Sequence, residues 1–187
     1  MDLIGTQTPQ SRITEPAAAV HVLELAVPCL AKYRRPEPAA LNVALLEEGL
    51  GIALPADYKL LAALYPPFVL DDFLHVRLPE PGIEHRWLRG THSELELVQN
   101  WWEGDMSIGL RPHPAPGGLL PWAESNQGDV FLWTTTGAGP DEWPVTVASR
   151  NLAWWHYAGG AVQFLAELVT GTLEPWAIPR LRPEVII

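Results

Sequence analysis

The fold is decided by one stretch of the chain, Leu46-Glu47-Glu48-Gly49-Leu50-Gly51-Ile52-Ala53-Leu54-Pro55-Ala56-Asp57-Tyr58-Lys59. Leucines at helical spacing lead into it, and either Gly49 or Gly51 supplies the left-handed residue that commonly ends a helix. Pro55 has the fixed backbone angle that suits the first turn of a new helix. The stretch therefore predicts two helices joined by a short connection, and Pro66-Pro67 must end the second one.

Another helix is predicted upstream, starting at Pro16. Thr14 or Glu15 caps it, and Pro28 kinks or ends it. Its apolar positions recur at helical spacing: Val20, Leu23, Val27 and Leu30. Residues 1–14 have no such periodicity and contain several turn-forming residues, so we interpret them as an N-terminal arm that is either flexible or docked on the body.

The middle of the chain mixes strand and helix signals. Phe68–Leu70 and Phe73–Leu78 predict two strands around a turn at Asp71-Asp72. Ser93 and Glu96 form a capping-box pattern, which predicts a helix from Ser93 to Gly104. Residues 106–110 are interpreted as a strand, and the proline-rich residues 111–118 as a rigid surface loop.

The C-terminal half predicts a strand meander followed by a helix. The strands are expected at residues 119–122, 130–133, 143–147 and 154–157, with turns at Asn126–Asp129 and Gly137–Pro140. A final helix is predicted to begin after Gly159-Gly160 and to end at Gly171. Helices, strands and a closing helix indicate an α+β fold, in which N-terminal helices and a C-terminal helix pack on a mostly antiparallel, twisted sheet. We expect one domain over residues 15–187.

Composition and charge restrict the classes of partner. The 187 residues contain 12 Lys and Arg against 22 Asp and Glu, a formal net charge of −10, which disfavours binding to nucleic acid or to an anionic membrane. The same charge favours fast encounter with a basic protein. The single cysteine, Cys29, excludes an internal disulfide and indicates a reducing compartment. Because the N-terminus lacks the basic and apolar regions of a signal peptide, we expect a cytoplasmic protein.

The ordered motifs resemble the SUKH superfamily, which includes fungal cell-wall regulators and many bacterial immunity proteins. The resemblance is carried by the stretch quoted above and by Leu120-Pro121-Trp122-Ala123 followed by Asn126-Gln127-Gly128-Asp129-Val130-Phe131-Leu132-Trp133. The later strands and the helix containing Phe164-Leu165 follow in the family's order, so the resemblance covers roughly residues 38–173. It implies a protein-binding module, in bacteria an antidote encoded beside a secreted polymorphic or contact-dependent toxin.

Signals of catalysis are weak. The six histidines show no metal-ligand spacing, there is no Gly-x-Ser-x-Gly elbow, and Gly137-Ala138-Gly139 is followed by no phosphate-binding lysine. Cys29 lies on an apolar helical face, which is typical of an inert thiol. We expect no enzyme activity, no metal and no cofactor.

Partner contacts are predicted from acidic pairs and an exposed tryptophan. Glu47-Glu48, Asp71-Asp72 and Asp141-Glu142 are either solvated charge or contacts for a basic partner. Trp101 and Trp102 are consecutive on a helix, so one faces inward; the other is an interface anchor or is covered by a loop. The candidate partner-binding residues are Asp71, Asp72, Trp101, Trp102, Glu103, Asp105, Asp141 and Glu142.

The resemblance to the SUKH superfamily, together with the net charge of −10, implies a non-enzymatic immunity protein that binds and neutralises a basic toxin, for example a nuclease. A regulatory scaffold of the same fold that binds an endogenous protein is the first alternative. A small-molecule binder or hydrolase with a tryptophan-lined cleft is the second, and a deep pocket with convergent polar groups would favour it.

Overall fold

The predicted hairpins form the middle of a sheet in the computed structural model, which describes residues 2–187. Within those residues the strands are β1 (Asp2–Gln7), β2 (Phe68–Leu70), β3 (Leu74–Val76), β4 (Leu119–Ser125), β5 (Val130–Thr134), β6 (Val145–Ala148), β7 (Ala153–Tyr157) and β8 (Val185–Ile186). They are ordered β1-β7-β6-β5-β4-β3-β2-β8. All neighbours are antiparallel except β1 and β7, which are parallel. The predicted α+β fold is confirmed.

The helices lie on both faces of this sheet. Over the same residues they are α1 (Pro16–Ala26), α2 (Val43–Leu50), α3 (Ala56–Leu64), α4 (Glu84–Glu103) and α5 (Ala161–Thr170), with short 3-10 segments at Pro28–Tyr33 and Pro140–Glu142. Helices α1, α3 and α5 pack together over one face. The C-terminal half of α4 covers part of the other face. Among the described helices, none is long and apolar enough to cross a membrane.

The deciding stretch folds as predicted. Gly51, with φ of 71°, ends α2 in the left-handed conformation, whereas Gly49 lies inside the helix. Pro55 directly precedes α3. Tyr58 is buried, and its ring packs edge-on against Trp133 with the centroids 4.9 Å apart. This contact fixes α3 on the sheet.

The helix predicted from Ser93 begins much earlier, and the capping box is wrong. Ser93 lies in the middle of α4, which starts at Glu84. There the Glu84 carboxylate accepts the backbone N–H of Asn42 at 2.9 Å, which ties α4 to the start of α2. Trp87 and Thr91 are buried one and two turns into the helix, so tertiary contacts extend it well before the local signal.

Two predictions around residues 106–118 also need correction. Residues 106–110 form turns rather than a strand, because Ile108 and Gly109 have positive φ angles of 49° and 79°. The proline-rich segment is not wholly a surface loop. Pro112 and His113 are buried, and the His113 Nε2 atom lies 2.7 Å from the carbonyl oxygen of Leu50 at the end of α2.

The edge strands β1 and β8 were not predicted. Of the N-terminal arm predicted for residues 1–14, Met1 lies outside the described residues, and β1 pairs along β7. Arg12 then donates hydrogen bonds to the carbonyl oxygens of Ala158, Asp141 and Trp143 at 2.9, 2.8 and 3.1 Å. Of the two predicted alternatives for the N-terminal arm, flexible or docked, the structure shows the docked one for its described residues.

The core has two unequal layers. The larger lies between the sheet and helices α1, α3 and α5, and includes the buried rings of Trp122, Trp133, Trp155, Tyr157 and Phe164. The smaller lies under α4 and contains Val98, Leu119, Val130, Leu132, Ala148 and Trp154. The strands alternate their side chains between these two layers, as the pleat of a sheet requires. Most tryptophans therefore serve the core.

Candidate functional site

One of the two aspartates in the turn between β2 and β3 is paired with an arginine, which also pairs with Glu184 at 3.1 Å. The Asp71 Oδ1 atom accepts Arg182 Nε at 2.8 Å and pairs with Arg182 Nη2 at 2.7 Å, while Oδ2 accepts the backbone N–H of Arg182 at 3.0 Å. Burial opposes ionisation of Asp71, but these bonds outweigh it and hold the pKa of its carboxyl below the usual value. Asp72 is exposed. The turn therefore offers one free carboxylate rather than two.

Both tryptophans at the end of α4 are half-buried: Trp101 faces the smaller core, and Trp102 is covered by Arg111 of the proline-rich segment, which is the loop-covered alternative of the prediction. Trp101 packs edge-on against Trp154 with centroids 5.7 Å apart. The guanidinium of Arg111 lies 5.0 Å above the ring of Trp102, a cation–π contact. Both rings already contact residues of the same protein, which makes them less suitable as anchors for a binding partner.

The acidic residues beside this pair are exposed but differ in their contacts. The Glu103 carboxylate accepts Gln99 Nε2 at 2.7 Å within α4. Asp105 follows the helix at a positive φ of 56°, and its backbone N–H donates to the Trp102 carbonyl. These residues form a helix end with solvated charge.

Asp141 and Glu142 lie in the 3-10 turn that packs against the start of α3. The Asp141 Oδ1 atom accepts the backbone N–H of Ala56 at 2.7 Å and so satisfies one free donor of the helix N-terminus. The Glu142 Oε2 atom accepts the N–H of Ala138 at 2.9 Å. Both residues remain exposed.

This turn meets a second acidic pair that the sequence places far away. The Glu47 Oε1 atom accepts the backbone N–H of Leu54 at 3.0 Å, only two residues before the N–H of Ala56 that Asp141 accepts. Since two residues span about 7 Å at most, the Glu47 and Asp141 carboxylates lie within roughly 13 Å of each other. We call Glu47, Asp57 and Asp141, together with the exposed sequence neighbours Glu48 and Glu142, the acidic rim.

Two basic residues reach the rim, and both are already bound. The Lys59 Nζ atom pairs with Glu47 at 2.8 Å. Arg12 donates to three backbone carbonyl oxygens instead of pairing with a carboxylate. Within residues 2–187, no ion pair is found for Glu48, Asp141 or Glu142. The rim consequently presents three exposed carboxylates that form no ion pair within the described residues, with Arg12 and Lys59 as the cations beside them.

The pKa of Asp57 depends on the burial of its carboxyl and on the charges around it at the rim. Burial raises the pKa of its carboxyl, and the nearby charge of Asp141 raises it further, against the opposing effects of backbone hydrogen bonds and of Arg12. Burial is the largest of these causes, and the charge of Asp141 is a smaller one. Asp57 and Asp141 are therefore close enough for their charges to interact.

The predicted residues form three separate groups. Asp71 lies at the β2–β8 edge and Trp101 lies over β7, which is five strands away and so about 24 Å across the sheet. Asp141 and Glu142 lie beside α3, in the helix layer on the opposite face from α4. The last group is enlarged by Glu47 and Asp57, and the first by Glu184, which pairs with Arg182 at 3.1 Å.

The structure also pairs carboxyls that the sequence analysis did not connect. Burial raises the pKa of Glu94 on α4; Arg77 opposes this, and Glu124 on β4 adds to it through its charge and a shared hydrogen bond. The two residues are thirty positions apart, so no local spacing in the sequence predicted that they would be neighbours. Among the described residues, Glu94 and Glu124 are the carboxyls that most resemble the acid–base pair of a hydrolase.

The segments that resemble the SUKH superfamily have structural roles here. Pro55 starts α3, Tyr58 fills the core, and Gly128 has φ of 94° in the turn between β4 and β5. The resemblance stays a prediction that rests on these motifs. No protein-family model matches the chain, and no curated protein matches it with significant sequence similarity.

Proposed function

We propose that the protein is a non-enzymatic, SUKH-like immunity protein of a bacterial polymorphic or contact-dependent toxin system. It binds a cognate basic toxin and covers that toxin's substrate groove. The acidic rim supports the proposal, because it brings Glu47 and Asp141 together from distant parts of the chain, and their exposed neighbours Glu48 and Glu142 form no ion pair within the described residues.

Electrostatics connects the rim to this class of partner. Carboxylates held close together repel one another, and a cationic surface relieves that repulsion on binding. A nuclease has such a surface, since it must attract a phosphate backbone. Complementary charge also accelerates encounter, which suits an antidote that must reach the toxin before its substrate does.

An apolar residue beside the rim supplies an anchor. Leu45 lies three residues before Glu48 on α2, so the two side chains share one face of the helix. Its exposed fraction is 39%, large for a leucine next to charged groups. A contact with an apolar centre and a charged edge matches the usual anatomy of protein interfaces. Leu45 replaces the Trp101–Trp102 pair as the anchor of the proposed interface.

The test compares two triple variants that lose equal charge. The rim variant is Glu48→Gln, Asp141→Asn and Glu142→Gln, in which the asparagine oxygen still accepts the Ala56 N–H. The control is Glu37→Gln, Glu96→Gln and Glu174→Gln, all exposed and outside the rim. Each set changes the net charge from −10 to −7, since three negative charges are removed. Both proteins and the wild type are used to capture partners from the native host, with identification by mass spectrometry.

We expect the wild type and the control to capture one basic protein that arrests growth when expressed alone and is harmless when the captor is co-expressed. The rim variant should capture less of it and protect less. A captured partner that is harmless on its own would contradict the immunity function and support a regulatory scaffold. Equal capture by the rim and control variants would remove the rim from the interface.

A further inference from the structure

A cavity opens on the sheet face that α4 covers, beyond the end of that helix. Its volume is about 320 Å³, enough for a ligand with a single ring. Most of its wall is apolar, and His156 is the one titratable side chain among its lining residues. The lining residues are Thr6, Leu110, Thr134, Pro144, His156 and Ala158.

A hydrogen-bonded chain of three side chains forms the floor of this cavity. Thr134 Oγ1 lies 2.6 Å from Thr146 Oγ1, and Thr146 Oγ1 lies 2.8 Å from His156 Nδ1. The three residues are on the adjacent strands β5, β6 and β7, where Thr146 is paired directly with His156. Thr146 is fully buried, whereas Thr134 and His156 reach the cavity. In this hydrogen-bonded chain, the Thr146 hydroxyl is therefore inaccessible to a ligand, whereas Thr134 and His156 at the two ends are accessible.

The two ends must differ in hydrogen-bonding character. If Thr134 donates to Thr146 and Thr146 donates to His156 Nδ1, then Nε2 carries the proton and is a donor. If the imidazole instead donates from Nδ1, the hydroxyl protons point the other way, so Nε2 is an acceptor and Thr134 is the donor. In both arrangements the cavity presents one donor and one acceptor. Within the described residues, His156 Nε2 has no hydrogen-bond partner in the protein, and Thr134 Oγ1 has none besides Thr146.

The chemistry of the wall restricts the ligand further. A cavity without a lysine or arginine, in a protein of net charge −10, disfavours an anion. Burial lowers the pKa of His156, which keeps the imidazole neutral near pH 7. A neutral group with a donor and an acceptor side by side fits the two ends of the chain, and an amide is the simplest such group.

We infer that this cavity is a binding site for a small neutral ligand with an apolar ring and an amide-like donor–acceptor pair, held between Thr134 and His156. The site shares no lining residue with the acidic rim, although Arg12 joins the end of β7 at Ala158 to the turn that contains Asp141. It also differs from a tryptophan-lined cleft, since the tryptophans of β4, β5 and β7 are buried in the core.

Benzamide is the probe, and isopropylbenzene is its apolar isostere. Nine non-hydrogen atoms support a dissociation constant on the order of a millimolar, which backbone amide and imidazole NMR shifts can follow. We expect saturable shifts at residues 6, 110, 134, 156 and 158 and at the His156 ring nitrogens. Thr134→Val and His156→Phe should each weaken benzamide about tenfold, the loss of roughly one hydrogen bond.

The controls separate a binding effect from a folding effect. Thr136→Val, an exposed position near the cavity, should bind benzamide like the wild type, and Thr134→Val should leave isopropylbenzene binding unchanged. The amide spectrum of each variant reports whether the fold is intact. If either variant unfolds, the His156 ring-nitrogen shift in the wild type decides the matter. The absence of saturable shifts in the wild type, or equal benzamide affinity in folded Thr134→Val, would overturn the inference.

Discussion

Two acidic regions begin from the same sequence feature, a pair of adjacent acidic residues in a turn, and the fold gives them opposite roles. At the turn between β2 and β3, Asp71 is held by the backbone and side chain of Arg182. At the acidic rim, Asp141 and Glu142 are joined by Glu47, Glu48 and Asp57, and the exposed carboxylates face solvent. In both regions a residue from a distant part of the chain decides which carboxylates are paired: Arg182 pairs with Asp71, whereas Glu48, Asp141 and Glu142 form no ion pair within the described residues.

The largest expected effect comes from removing the scaffold of the rim. Tyr58 is buried between the sheet and Trp87, and its hydroxyl accepts Trp87 Nε1 at 3.1 Å. Tyr58→Ala should lower the free energy of unfolding by about 3–5 kcal/mol, because a large cavity is left. Tyr58→Phe keeps the ring and should cost about 1 kcal/mol. Chemical denaturation measures both, and a similar cost for the two variants would contradict a packing role.

A smaller effect is expected from Arg12, the cation that the rim leaves unused. Its three carbonyl contacts join the N-terminal segment to the 3-10 turn and to the end of β7. Arg12→Gln should cost about 2 kcal/mol of stability, since hydrogen bonds from a charged donor are lost. Amide hydrogen exchange should become faster at residues 138–143. Unchanged exchange there would show that Arg12 does not hold the turn.

The smallest effect sharpens the other side of the comparison. The pKa of Asp71 is held below its ordinary value, so the pair with Arg182 stabilises the fold above pH of about 4 and is lost as the pH falls through the lowered pKa. Arg182→Gln should move the Asp71 pKa upward, because burial of the carboxyl would no longer be opposed by the arginine. Carboxyl carbon NMR during an acid titration measures it. An Asp71 pKa that does not move would show that Arg182 does not neutralise the turn.

Local signals predicted the local features well. Pro55 and Gly51 are sufficient to mark helix ends, because proline and glycine restrict or free the backbone by themselves. The turns at Asp71-Asp72 and Asn126–Asp129 were likewise readable from composition, and the structure contains both hairpins. These features need no information from elsewhere in the chain.

Features that depend on distant residues were missed. Asp141 meets Ala56 across 85 positions and Asp71 meets Arg182 across 111, and neither spacing has a local signature. The early start of α4 also comes from a distant contact, the bond from Asn42 to Glu84. The rim was therefore predicted only in part, as separate acidic pairs, and the hydrogen-bonded chain from Thr134 to His156 was not predicted.

The most direct measurement is the association rate of the captured basic partner at low and at physiological salt, with the wild type, the rim variant and the charge-matched control. Steering by the rim predicts that the rim variant associates about tenfold more slowly at low salt, while the control stays close to the wild type. The difference should shrink as salt screens the rim. Equal slowing of both variants, or a rim effect that salt leaves unchanged, would contradict the account.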